Sequence, residues 1–289
     1  MSEIERRMEQ VRARHGAWTA HNIALPGGAF TIGPSASMMD IRRGDYFVAL
    51  SRTIFRKPLN GLRVLDIGCL EGGLSIQFAR AGAEVDGLDI RAPNIAKAQA
   101  AAEILELDGV RFFEGDALDL PLAHLHANYD IVLCAGLLYH LDARDQLPFL
   151  RALANLCCGI TIIDTHISHE PVEAHTTAEG LVLHGRYIQE RGATPEERRT
   201  AMWASFSNNT SFWLTEPSLC NALFAAGFGL VTKAAQPVFP SAWQDRATWI
   251  AFGRTDAYCI FESAPLPETD ERPSSHPSVA AGRNVYVRV

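Results

Sequence analysis

Nowhere in its 289 residues does the chain offer an apolar run long and charge-free enough to cross a bilayer. Its charged, helix-like start, MSEIERRMEQVRARHGAW, has no apolar stretch of the signal-peptide kind, so a cytoplasmic protein is expected, with no membrane partner. Cysteine is scarce. The six present, Cys69, Cys134, Cys157, Cys158, Cys220 and Cys259, form no CxxC pairs with matching histidines, which excludes a zinc-ribbon pattern and a disulfide framework. No metal site is expected either, because His124 with His126, and His166 with His169, lack further ligands at a recognisable spacing. Positive charge is also in deficit. With 26 Lys and Arg against 33 Asp and Glu the formal net charge is -7, which disfavours a phosphate-backbone partner and favours a small-molecule substrate. The basic pairs Arg6-Arg7, Arg42-Arg43 and Arg198-Arg199 are short and are expected on solvated faces. There is no internal repeat. The segment Pro265 to Pro277, rich in Pro, Ser, Glu and Asp, reads as an irregular surface stretch. Oligomeric state leaves no signature.

From about residue 60 to 168, short apolar runs alternate with helical patterns, the mark of repeated βαβ units on a parallel sheet. Strands are expected at Arg63 to Ile67, Glu84 to Asp89, Val110 to Glu114, Asp130 to Ala135 and Gly159 to Asp164, with helices at Gly73 to Ala81, Asn94 to Leu105 and Asp145 to Asn155. A polar, partly helical stretch from Glu170 to Asn209 follows. A helix near Glu216 to Ala226 and strands at Gly229 to Ala235 and Ala247 to Arg254 then fit an antiparallel hairpin closing the sheet. The fold class is therefore α/β: a Rossmann-like open sheet, mostly parallel with an antiparallel last strand, and helices on both faces. Residues 1–59 form an N-terminal helical cap, 60–262 the main domain with a substrate-covering insertion at about 170–209, and 263–289 an irregular tail.

The stretch VLDIGCLEGG, Val64 to Gly73, sets glycines where a buried strand turns into a helix, so that backbone can approach a ligand. Such turns also occur without a ligand. Asp89, however, ends the next strand about 20 residues on, where a carboxylate can accept both ribose hydroxyl protons of a nucleotide-type ligand. Asp116 follows the third strand, placed to accept an adenine amino proton, and AGLLYHL, Ala135 to Leu141, follows the fourth. Because ligands of open parallel sheets bind at the carboxyl ends of strands, these turns converge on one crevice. GCLEGG does not fit the GxGxxG fingerprint, which lowers the alternative of a nicotinamide-dependent oxidoreductase.

Leu65 to Gly73, Val85 to Asp89, Gly115 to Ala117 and Asp130 to Leu141 resemble the successive motifs of class I S-adenosylmethionine-dependent methyltransferases. GLLYHL, IDTH at Ile163 to His166, GRY, MWAS and NNTSFWLT resemble a narrower group, the tRNA wobble-uridine carboxymethyl-transfer enzymes and their stand-alone small-molecule relatives. The resemblance implies S-adenosyl-L-methionine as cofactor. It implies contacts from Asp66, Gly68, Cys69 and Gly72 around the methionine portion, Asp89 and Ile90 at the ribose, Asp116 and Ala117 at the adenine, and Cys134 and Ala135 at the fourth strand's end. The family loop has a glycine where this chain has Leu70, followed by Glu71.

Methyl transfer from a sulfonium is an in-line displacement, so few catalytic groups are obligatory beyond those that align the acceptor or remove its proton. His166, ending the fifth strand, is the first candidate base, with His140 and Tyr139 next; the alternative for His166 is a strand cap or packing role. The insertion offers His184, Arg186, Tyr187, Trp203, Ser205, Asn208 and Trp213 as aromatic surface and polar tips for an acceptor pocket, and His21 with Asn22 can close the cleft from the N-terminal side. Tyr187, Trp203, Asn208 and His21 are the substrate-contact candidates. The function expected is methyl transfer to an O, N or S atom of a small polar metabolite. The alternatives are a tRNA-modifying methyl or carboxymethyl transferase and a non-catalytic cofactor-binding protein.

Overall fold

The computed structural model describes residues 2–37, 39–120, 123–192, 194–235 and 245–253. The apolar runs Val64 to Ile67 and Ile131 to Cys134 are buried on both sides, as strands of a parallel sheet covered by helices must be. These runs become β1 (Arg63–Ile67) and β4 (Tyr129–Ala135), which pair in parallel. With β2 (Glu84–Asp89), β3 (Val110–Glu114), β5 (Cys157–His166), β9 (Leu230–Ala234) and β10 (Arg246–Phe252) they build a seven-stranded sheet ordered β3-β2-β1-β4-β5-β10-β9. All the expected strands form. β10 runs antiparallel to both its neighbours, β5 and β9. The expected hairpin is thus present, although the antiparallel strand lies inside the sheet and β9 forms the edge. Arg254, Cys259 and the tail from Pro265 to Pro277 lie outside the described residues.

Helices cover both faces. α5 (Ala143–Leu156) and α7 (Glu216–Ala226) pack Leu147, Leu150, Leu153, Leu219 and Leu223 against Leu65, Val132 and Trp249 on one face. α2 (Met39–Phe55) and α3 (Gly73–Arg80) pack Phe47, Leu74 and Phe78 against Val64, Ile131 and Ile160 on the other. The period of two along each strand sends alternate residues to opposite cores. α4 (Ala92–Ile104) starts two residues before its expected position because Pro93 is tolerated in a first helical turn. α1 (Glu3–His15), opened by a Ser2–Glu5 capping box, lays Met8 against Ile95 and Ala98 of α4, so the N-terminal helices belong to the same helical layers.

The insertion differs from its expected, partly helical character. It holds β6 (Glu173–Thr176) and β7 (Val182–Gln189), which form a three-stranded antiparallel sheet with β8 (Thr210–Leu214), and its one described α-helix is the short α6 (Pro195–Thr200). In β7 only Leu183 and Gly185 are buried, and the exposed residues mix Val182 and Tyr187 with His184, Arg186 and Gln189, so no alternation of apolar and polar stands out in the sequence. Gly185 is obligatory: a Cβ there would sit 2.2 Å from the Trp213 carbonyl oxygen.

Candidate active site

β1 ends in a loop whose first amides, Gly68 and Cys69, donate to the Leu88 carbonyl oxygen at 2.8 and 2.9 Å, locking the turn onto β2. Gly68 holds φ +74°, and Leu70 holds the left-handed φ +47° despite its side chain. Leu70, where the family loop has a glycine, thus holds a conformation that costs a residue with a side chain roughly 1–2 kcal/mol. Glu71 explains the departure. Fully buried, its carboxylate accepts the backbone amides of Thr19, Ala20 and His21 and lies 3.1 Å from Lys97 Nζ, so the loop clamps the N-terminal segment in place. His21 is thereby set over α3, where its Nδ1 accepts the Gly73 amide at 2.9 Å. Gly72 faces away from the cleft. A Cβ at this φ of +78° would meet Ala98 Cβ at 2.8 Å and Phe112 Cζ at 2.9 Å, so the glycine is required by packing on α4 and β3 and not by close approach to a ligand.

A cleft of about 1070 Å³, counted together with the solvent-open space at its mouth, runs along the carboxyl ends of β1, β2, β3 and β4. Of the residues singled out in the sequence, Asp66, Gly68, Cys69, Asp89, Ile90, Asp116, Ala117, Ala135, Tyr139, His140, His21, Trp203 and Asn208 line it. Asp89 is buried at the end of β2, where it takes the amides of Leu70 and Arg91 and the Asn94 amide group. Burial pushes its carboxyl above the ordinary value against the pull of those donors. Asp66 is buried more completely: desolvation carries its carboxyl up to about 6, although the Ser75 hydroxyl donates to it at 2.6 Å. Asp116 gives one carboxylate oxygen to the Leu118 amide. Cys134 lies in the hydrophobic core between the sheet and α5, so its side chain does not reach the cleft.

The acceptor side is formed where the turn after β4 meets the insertion. Tyr139 and His140 stand on a single helical turn, Leu138–His140. His140 Nδ1 lies 2.8 Å from Glu190 Oε1, and among the described residues its Nε2 makes no hydrogen bond; the residue lines the cleft. Glu190 in turn accepts the Ser205 amide and the Ser211 hydroxyl; burial opposes its ionisation, but the donors from His140, Ser211 and Ser205 prevail and hold it below the ordinary glutamate value. Residues 202–208 roof the cleft. Arg91 fastens that roof, its guanidinium within hydrogen-bond distance of the Arg198, Arg199, Ala201 and Ala204 carbonyls and 5.3 Å from the Phe206 ring centre.

Three expectations need correction. His166 does not reach the cleft: its Nδ1 bonds Asp245 Oδ1 at 2.9 Å, and its ring packs against Tyr139 edge-on and Trp213 in a stack. Burial and Arg246 keep that imidazole below its ordinary value, against Asp245. Tyr187, on β7, is exposed and rests on Phe212 away from the cleft. Arg43 and Arg198 are not on solvated faces: Arg43 lines the cleft 3.5 Å from Asp164, and Arg198, on α6, is buried. Asp164 is fully buried, and although desolvation opposes its charge, Arg246 and Arg43 hold its carboxyl below the ordinary range. Glu190, Arg91 and Arg43 were invisible as site residues, because nothing in the sequence ties positions 43, 91 and 190 to the turn at 136–141. Among the described residues no group of three or more His, Cys, Asp or Glu could hold a metal ion, and no helix is long and apolar enough to cross a membrane.

Strand order, the glycine-bearing β1 turn and the acidic β2 end together define a Rossmann-like sheet built to hold a nucleoside cofactor. Comparison with known proteins narrows this. A family described as methyltransferase domain matches residues 64–158. The ubiquinone biosynthesis O-methyltransferase of Ruegeria pomeroyi is 32% identical over 192 residues, 65% of this chain and 68% of that protein. The magnesium-protoporphyrin O-methyltransferase of Synechocystis is 37% identical over 99 residues, covering 34% of this chain and 41% of that protein. Among solved structures, the N-terminal domain of EvdMO1, crystallised in the presence of SAH and D-fucose, has a TM-score of 0.66 at 22% identity over 88% of this chain and 97% of that one, a likeness of fold. The chain belongs to the class I S-adenosylmethionine-dependent methyltransferases.

Proposed function

We propose that the enzyme methylates a hydroxyl oxygen of a small polar molecule, with His140 as the general base. The observation that carries this reading is the His140 imidazole, held at Nδ1 by Glu190 on a residue that lines the cleft, which leaves Nε2 for an acceptor. S-adenosylmethionine, when bound, supplies an electrophilic methyl group. The cleft's lining suits that cofactor: Asp89 would offer carboxylate acceptors to a ribose diol, Asp116 and Ala117 would meet the adenine edge, and Gly68 and Cys69 beside Asp66 would take the amino-acid end. The Tyr139 ring, with burial raising its phenol, presents an aromatic wall that favours a cation nearby. His140 Nε2 would take the acceptor's hydroxyl proton, freeing the oxygen lone pair for attack, and Trp203, Ser205 and Asn208 in the roof would orient the acceptor and exclude water. In this account residues 1–59 and 170–209 act as two covers of one catalytic domain. The O-methyltransferase names of the relatives support oxygen as the acceptor atom.

Two measurements test it. Asp89→Ala should weaken S-adenosylmethionine binding in calorimetry by about 1–3 kcal/mol, through loss of an ionised partner for buried hydroxyls. Unchanged affinity would place the ribose elsewhere. Labelled-methyl transfer onto a panel of small hydroxyl, amine and thiol compounds, with the product atom assigned by NMR, should find label on oxygen; label confined to nitrogen or sulfur contradicts the reading.

A further inference from the structure

Glu190 stands immediately after β7, fifty residues from the turn that carries His140, and yet its carboxylate is the partner of the His140 ring. It is almost fully buried, with a side-chain exposure of 6%. Oε1 faces His140 Nδ1 at 2.8 Å, and Oε2 accepts the Ser205 amide at 3.0 Å. The same insertion grips the His140 backbone, where Asn208 Nδ2 lies 3.0 Å from the His140 carbonyl oxygen. Ring and main chain of one residue are therefore held by one distant element.

An ionised acceptor at Nδ1 requires the ring proton to sit there, which leaves the Nε2 lone pair facing the cleft. The same negative charge balances the imidazolium that would form once Nε2 takes a proton. His166 supplies the contrast within the molecule. It too pairs Nδ1 with a carboxylate, Asp245, but its ring is packed between Tyr139 and Trp213 and has no face on the cleft. We infer that Glu190 is the positioning residue of the reaction, fixing the tautomer and orientation of His140 from the insertion. The insertion then supplies part of the proton-transfer apparatus as well as a cover. This inference rests on the proposal that His140 is the base.

The test reads the ring directly. In wild-type protein labelled with ¹⁵N-histidine, with His140 assigned by comparison with His140→Gln, the neutral ring should carry its proton on Nδ1. Glu190→Leu should give a mixture of tautomers. Glu190→Gln should lower kcat roughly 10- to 100-fold while the cofactor Kd and the acceptor KM change less than about twofold, and Glu190→Asp should recover part of the loss. A wild-type proton on Nε2, or a wild-type kcat in Glu190→Gln, overturns the inference. If Glu190→Gln does not fold, the wild-type spectrum decides alone. Should His140→Ala itself be fully active, the base assignment has failed; should it be inactive while Glu190→Gln is normal, only the role of Glu190 has failed.

Discussion

Asp66 shows how a single buried group leaves a measurable imprint. Its carboxyl titrates at about 6 in the folded protein against 3.8 for the exposed group, because burial outweighs the Ser75 hydrogen bond. Between those pH values the folded state keeps a proton that the unfolded chain has released. The contribution to stability is therefore complete below about pH 4 and is lost as pH rises through 6, an amount of about 3 kcal/mol at neutral pH. Asp66→Asn, which can still accept from Ser75, should match wild type in urea unfolding at pH 4 and exceed it by about 2–3 kcal/mol at pH 8. A difference that stays constant with pH contradicts the assignment. At this scale the sequence announced residues at or just beyond strand ends, since Asp66, Asp89, Asp116 and His140 follow from strand periodicity and the rule that ligands gather at carboxyl ends. It could not announce Glu190 or Arg91, whose roles depend on contacts with residues 50 and more than 100 positions away. It also favoured His166 over His140, since both follow strands at the same edge and only packing by Trp213 and Tyr139 separates them.

Among the elements, the N-terminal segment depends on one buried ion pair. Glu71 and Lys97 have side-chain exposures of 0% and 5%, and together they take three backbone amides and the Ala17 carbonyl. Glu71→Gln should therefore cost about 3–5 kcal/mol, by leaving the lysine charge buried without its counterion, and the double variant with Lys97→Met should regain part of it. Limited proteolysis should cut the single variant first within residues 1–22. An uncut N-terminus and unchanged unfolding midpoint would show that the clamp is dispensable. The departure from the family loop at Leu70 and Glu71 was legible, but its purpose was not, because a carboxylate's burial is a tertiary fact. Long periodic helices and doubly buried strands were readable in place. The sheet of the insertion was not, since β7 buries only two residues, one of them a glycine.

For the molecule as a whole, the parallel order of β1 to β5 gathers five strand ends at one edge, and the cleft runs along four of them. A net charge of -7 with no long basic stripe predicts no salt-sensitive retention of bulk tRNA in gel shifts; a shift at low salt that vanishes at high salt would restore the tRNA-modifying alternative. The central claim is that this cleft removes an acceptor's proton through His140 while other residues hold the cofactor. His140→Ala tests it most directly, with turnover and cofactor affinity measured on the same preparation. The account predicts a kcat lower by roughly 100- to 10,000-fold with the cofactor Kd within about twofold of wild type. A variant that turns over at the wild-type rate contradicts it.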